Sequence, residues 1–147
     1  MKIVARNKKA GHLYAILDKY EAGVALKGSE VKSLRAGKVN FSDSYARVQN
    51  DELFLENLDI PAYAQANIYN HDPRRLRKLL LHGREIRKIR TLLEEKGLTL
   101  VPLSLYFNER GRLKIEIGVC RAKKLYDKRA DLAGKEAERL IKRIMKS

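Results

Sequence analysis

TLVPLSLYF (99–107), NERG (108–111) and RLKIEIGVC (112–120) decide the fold of this chain. Both flanking segments are rich in β-forming residues, and Asn108–Gly111 supplies a turn between them, so this region reads as a firm antiparallel hairpin. Immediately upstream, residues 83–96 place Ile86, Ile89, Leu92 and Leu93 on one helical face and Arg84, Arg87 and Lys88 on the other, with Gly97 ending the helix. Alternation over Ser44–Val48 and Leu53–Ile60, around Asn50-Asp51, predicts a second hairpin. Residues 13–27 suggest two strand pieces, carried by Tyr14, Ile16 and Tyr20 and then by Val24 and Leu26, bent at Glu21–Gly23. Gly28-Ser29 opens a short helix, with Ser29 as its N-cap and Gly37 closing it at C′. Residues 61–78, interrupted by Pro61 and Pro73, form a long and partly irregular connection, a feature that in compact domains usually carries function. Five or six strands with one short and one longer helix predict a mainly β fold. The expected form is a small closed antiparallel barrel, similar to an oligonucleotide-binding fold. A barrel of that size fills its interior with side chains, leaving its outer face and loops for binding.

The rest of the composition narrows the class. The chain has 147 residues, with 32 Lys+Arg against 18 Asp+Glu, giving a formal net charge of +14. A hydrophobic content of 44% sustains a core, and 7% aromatics with no Trp make that core aliphatic. The apolar run LTLVPLSLYF (98–107) is far shorter than the roughly 18–20 residues that cross a bilayer, and MKIVARNKK is no signal peptide. A single cysteine permits no intramolecular disulfide, in keeping with a reducing, cytoplasmic setting. The charge is concentrated in two places. Residues 74–90 carry eight basic residues and one acidic, and residues 121–147 carry ten basic and four acidic, on a body that is otherwise nearly neutral. Patches of this kind suit phosphate groups better than they suit a membrane, because neither pairs its charge with a Trp- or Phe-bearing apolar face. Nucleic acid is the expected partner, with Arg84 and Arg87 as phosphate contacts.

Groups for catalysis are thin. His12, His71 and His82 have no metal-binding spacing, and no Gly-rich phosphate loop is present. Cys120 ends a predicted strand and reads as a small core residue, and His71-Asp72-Pro73 as a turn into the basic run. Asp18, Glu21 and Glu30 are the one set of carboxylates that a metal-dependent nuclease would use. No catalytic residue, metal or cofactor is expected. Beyond Lys124 the chain changes character. Residues 131–146 gather Leu132, Ala137, Leu140, Ile141, Ile144 and Met145 on one side of an amphipathic helix, weakened by Gly134 at a cost of about 1 kcal/mol relative to Ala. This segment reads as a tail that orders on its target.

Several stretches in order along the chain resemble the SmpB family of bacterial SsrA-binding proteins. They are VARNKKA (4–10), YEAGVALKGSEVKSLRAGKVNFSDSYA (20–46), NHDPRRLRKLLLHGREI (70–86), GLTLVPLSLYFNERGRLKIEIGV (97–119) and KKLYDKR (123–129). The resemblance implies a six-stranded oligonucleotide-binding-type barrel with two or three flanking helices over residues 1–122. It also implies a basic tail over 123–147, disordered when free and helical on the ribosome. The implied function is binding of the tRNA-like part of tmRNA and its delivery to ribosomes stalled on truncated messages, by a monomeric, non-enzymatic protein without cofactor. Carried over by position, Glu21 and Lys114 match contacts to the tmRNA elbow region, and Leu80 and His82 match a neighbouring contact segment in which other members have Asn at the His82 position. Tyr126, Asp127, Lys128 and Arg129 match the tail motif that acts near the decoding centre, and Ile144 and Met145 an apolar pair further along the mRNA channel. On residue chemistry alone, Glu21 also reads as a surface residue paired to a lysine, Leu80 as a core residue, and Tyr126 as an anchor of the tail. Another basic barrel protein of translation and a metal-dependent nuclease are the competing readings.

Overall fold

The computed structural model describes residues 1–63, 70–95 and 97–123. Within them are seven strands and three helices: β1 (Lys2–Arg6), α1 (Ala10–Leu13), β2 (Tyr14–Val24), α2 (Gly28–Arg35), β3 (Tyr45–Gln49), β4 (Glu52–Glu56), β5 (Arg77–Leu80), α3 (Gly83–Leu93), β6 (Leu98–Phe107) and β7 (Leu113–Ala122). All pairings are antiparallel, and they run in a circuit. β6 pairs β7, β7 pairs β2, β2 pairs β5, β5 pairs β4, β4 pairs β3, and β3 returns to β6 through the single pair Ala46–Leu100. β1 joins the same ring-like sheet on the flank of β6, outside the circuit of the other six strands.

The expected six strands are therefore seven. The two strand pieces over 13–27 are one continuous β2, because Ala22 and Gly23 stay in register with Ile115 and Lys114 where a bend was expected. Its irregularity comes earlier, at Leu17, an extra residue between Ile16 and Asp18. β5 emerges from the end of the stretch expected to be an irregular connection. It is four residues long, and its inward pair is Arg77 and Leu79, so it carries no hydrophobic alternation to betray it. β1 is five residues long and has no fully buried residue. The hairpin around 108–111 and the helix over α3 form as expected.

The interior is aliphatic. Leu113, Ile115, Ile117 and Val119 alternate inward along β7 and meet Leu53, Leu55, Leu79, Leu100 and Leu105 from the other strands, with Leu34 of α2 and Ile89 of α3 closing on them. Turn chemistry holds the elements in place. Asn50 and Asp51 both have positive φ (52° and 58°), the backbone of a two-residue type I′ hairpin, which asparagine and aspartate tolerate better than most residues. α2 ends as expected at Gly37 (φ 75°), where the Lys38 and Gly37 amides donate to the carbonyls of Ser33 and Leu34. Its start differs from expectation. Lys27 holds the N-cap position, and its amide donates to the Glu30 carboxylate at 2.7 Å, while Ser29 is buried and turned to His71. In β6, Pro102 stands next to an extra residue, Leu103, where the ladder to β7 slips. A Cβ at Gly118 would lie 2.9 Å from the Leu103 side chain, so the absence of one on β7 lets the slip pack closely.

The basic run 74–90 is not wholly a surface. Arg77 and Glu30 are both fully buried. Arg77 donates to the Glu30 carboxylate, to the Leu58 carbonyl (2.6 Å) and to the Pro73 carbonyl (3.0 Å), and Arg75 reaches the other Glu30 oxygen. Beside them, buried His71 donates from Nε2 to the Ile60 carbonyl (2.6 Å), with Nδ1 2.8 Å from the Ser29 hydroxyl. These groups tie α2, the end of β4 and the start of β5 together, and every buried side-chain polar atom among the described residues has a partner.

Candidate nucleic-acid interface

Four neighbouring strands present the site on the outer face of the sheet. Gly23 of β2 is in register with Leu80 of β5 on one side and Lys114 of β7 on the other, and Tyr106 of β6 pairs Lys114 in turn. The neighbours that point inward, Ala22, Leu79, Ile115 and Phe107, are buried, so Glu21, Leu80, Lys114 and Tyr106 face out. Leu80 is 52% exposed, which excludes the reading of it as a core residue. The chain leaves β5 through Leu81 and His82 directly into α3. His82 sits in an extended N-cap conformation, its amide donating to the Glu85 carboxylate at 3.3 Å. Glu21, Leu80, Leu81, His82, Glu85 and Lys114 line a concavity of about 500 Å³.

At its edge, the Tyr106 hydroxyl donates to the carboxylate of Glu21, one of the lining residues. Burial, and then the bond to Glu21, push the Tyr106 phenol well above the usual tyrosine range, so it stays a donor at neutral pH. One Glu21 oxygen is thereby fixed, and Glu21 is exposed for a donor from outside. The reading of Glu21 as paired to a lysine gives way to a tyrosine partner. Tyr106 was not singled out in the sequence, although the alternation of β6, with Leu105 and Phe107 buried, is the signal that turns it outward.

Four of the six candidate contact residues in the body of the protein thus meet in one place. Of the remaining two, Arg87 folds back so that its Nη1 lies 3.2 Å from where a Gly83 Cβ would be, next to His82, and Arg84 is exposed one turn earlier on α3. Neither makes an ion pair among the described residues, whereas Lys88 reaches Asp18 (4.0 Å) and Arg90 pairs with Asp51. Tyr126, Asp127, Lys128, Arg129, Ile144, Met145 and the helix expected over 131–146 lie outside the described residues.

The carboxylates weighed for a metal site do not come together. Asp18 accepts from the Tyr20 hydroxyl (2.7 Å), a bond that leads in holding its carboxyl below the usual range, and Tyr20 is pushed up to about 12 by burial and by Asp18. Glu21 is held by Tyr106, and Glu30 is enclosed by two arginines. Burial pushes the Cys120 thiol up to about 11, which suits a core residue and not a nucleophile.

A family model for SmpB protein matches residues 4–147. The SsrA-binding protein of Desulforudis audaxviator is 56% identical over 142 residues, spanning 97% of this chain and 92% of that protein. Its counterpart in Moorella thermoacetica is 51% identical over 146 residues, spanning 99% and 94%. Among solved structures, a chain from "tmRNA-SmpB: a journey to the center of the bacterial ribosome" superposes with a TM-score of 0.71 at 57% identity, over 82% of this chain and 84% of that one.

Proposed function

The chain belongs to the SmpB protein family, and on that premise we propose that it is a tmRNA-binding protein of trans-translation, which brings tmRNA to stalled ribosomes. The observation that carries a site for that RNA is the convergence of Glu21, Leu80, His82 and Lys114 on one outward concavity. Folded RNA is read by shape, by unstacked bases and by 2′-hydroxyls, so a carboxylate with one oxygen fixed by Tyr106 is suited to accept from a base edge or a sugar hydroxyl. Lys114, Arg84 and Arg87 then supply phosphate contacts around it, and exposed Leu80 an apolar surface for a base.

The circuit of six strands supports reading the body, residues 1–122, as a closed barrel of the oligonucleotide-binding type, with β1 added on its flank. We assign residues 123–147 to a basic tail that enters the vacated mRNA channel, with Tyr126, Asp127, Lys128 and Arg129 near the decoding centre and Ile144 and Met145 further in. The protein acts as a monomeric adaptor in the cytoplasm and catalyses nothing itself. Purifying the tagged protein from cells and sequencing the RNA that accompanies it tests this. Enriched tmRNA is expected. Ribosomal RNA alone would favour another translation factor, and degraded fragments a nuclease.

A further inference from the structure

We propose that the RNA-binding surface continues past Lys114 into a second, phosphate-reading concavity that ends at Arg35 of α2, and that the backbone of the same tmRNA runs along it. This rests on the reading of the first concavity as an RNA site. The two hollows share Leu80 and Lys114 as a common wall. The second, of about 360 Å³, is floored by Leu26, Val31 and Phe107 and edged by Arg112 and Lys114. Its lining differs in one respect that decides its ligand. The first hollow contains two carboxylates, Glu21 and Glu85, whereas the second has none. A carboxylate accepts hydrogen bonds from sugars and bases and repels phosphate, so the first hollow suits the former and the second the latter.

Both arginines are held ready. The Arg35 guanidinium lies 4.8 Å from the centre of the Phe107 ring, a cation–π contact that holds it over the wall of this hollow. Arg112 is fixed through its backbone. Its amide donates to the Asn108 side chain (3.0 Å), and its carbonyl accepts from the Asn108 amide (2.9 Å). The turn between them passes through Gly111 at φ 74°, bringing the loop to within 4 Å of Arg35 if a Cβ stood there. Neither arginine forms an ion pair among the described residues, while α2's own carboxylate, Glu30, is turned inward to Arg75 and Arg77. Lys114, Arg112 and Arg35 are therefore three cations along one edge, none of them in an ion pair among the described residues.

The test is the salt dependence of tmRNA binding by the full-length protein. Each phosphate neutralised contributes roughly 0.7–0.9 to the slope of log affinity against log salt. Arg35→Gln with Arg112→Gln should lower the slope by about twice that amount, so the affinity loss is large at low salt and fades at high salt. Arg35→Lys, which keeps the charge, should retain the slope. Thermal melts confirm that each variant is folded, and Arg112→Gln alone, on an exposed turn, gives half the effect if Arg35→Gln disturbs Phe107. An unchanged slope in folded variants overturns the proposal. Glu21→Gln, measured alongside, separates the two ideas. If it weakens tmRNA binding while the arginine variants change nothing, only the extension fails, and if it too changes nothing the first concavity fails as well.

Discussion

Glu30 and Arg77 are both without exposed surface, so each charge persists only through its partners. Glu30→Gln leaves the Arg77 guanidinium buried and uncompensated, and should cost about 3–5 kcal/mol in urea denaturation. The pair also sets a pH dependence. Burial alone would raise the Glu30 pKa, but hydrogen bonds from Arg75, the Lys27 amide and Arg77 outweigh it and hold the carboxyl below its ordinary value of 4.5. A depressed folded pKa gives stability that is complete above the unfolded value and lost as pH falls through the folded one. Denaturation midpoints should therefore fall below pH 4.5 in the native protein, and in Glu30→Gln that part of the fall should vanish. At the site, Lys114→Ala should weaken every structured RNA, as a lost phosphate contact does, whereas Glu21→Gln should weaken tmRNA by roughly 1.5–3 kcal/mol, the worth of a charge-assisted hydrogen bond, and weaken unrelated structured RNA less. Equal losses on both RNAs from Glu21→Gln would leave only nonspecific attraction. Residue identity revealed Glu21 and Lys114 through the family resemblance, but nothing local reveals that Glu30 belongs to Arg77, 47 positions away. A buried arginine looks, in sequence, like one more charge in a basic run.

Helix α3 shows the two uses of one element. Its inner face carries Ile89, fully buried, and its outer face Arg84 and Arg87. Ile89→Ala should cost about 2–5 kcal/mol of stability by leaving a cavity. Arg84→Ala with Arg87→Ala should leave the melting temperature nearly unchanged and flatten the salt dependence of tmRNA binding. The same periodicity that announced the helix separated these two faces, which is why α3 was fully legible. The hairpin β3–β4 was legible for a different reason, the turn residues Asn50 and Asp51, and Asn50→Ala should cost roughly 1 kcal/mol because alanine is strained at positive φ. β5 was not legible. Its place in the sheet is decided by partners on β2 and β4, to which its own four residues bear no pattern.

For the whole molecule, the proposed division between body and tail makes binding and rescue separable. Residues 121–147 carry ten basic residues and four acidic, so the tail is suited to an RNA-lined channel. Truncation after Lys124 should leave tmRNA affinity largely intact and abolish peptide tagging on stalled ribosomes, and a truncated protein that still supports tagging would sink the assignment. The body carries a consequence of its own. Apart from β1, whose outer edge is unpaired among the described strands, the strands pair in a circuit, so opening of that circuit must begin by parting one of its seams. Five of the six seams hold two or more residue pairs, and the sixth, between β3 and β6, holds Ala46–Leu100 alone, with the Arg90–Asp51 ion pair spanning from α3 to the hairpin turn nearby. Local unfolding should start there, the β3–β4 hairpin swinging outward as a gate, and its amides should exchange with deuterium before those of β6 and β7, whose mutual seam, like that of β2 with β7, is among the longest in the sheet.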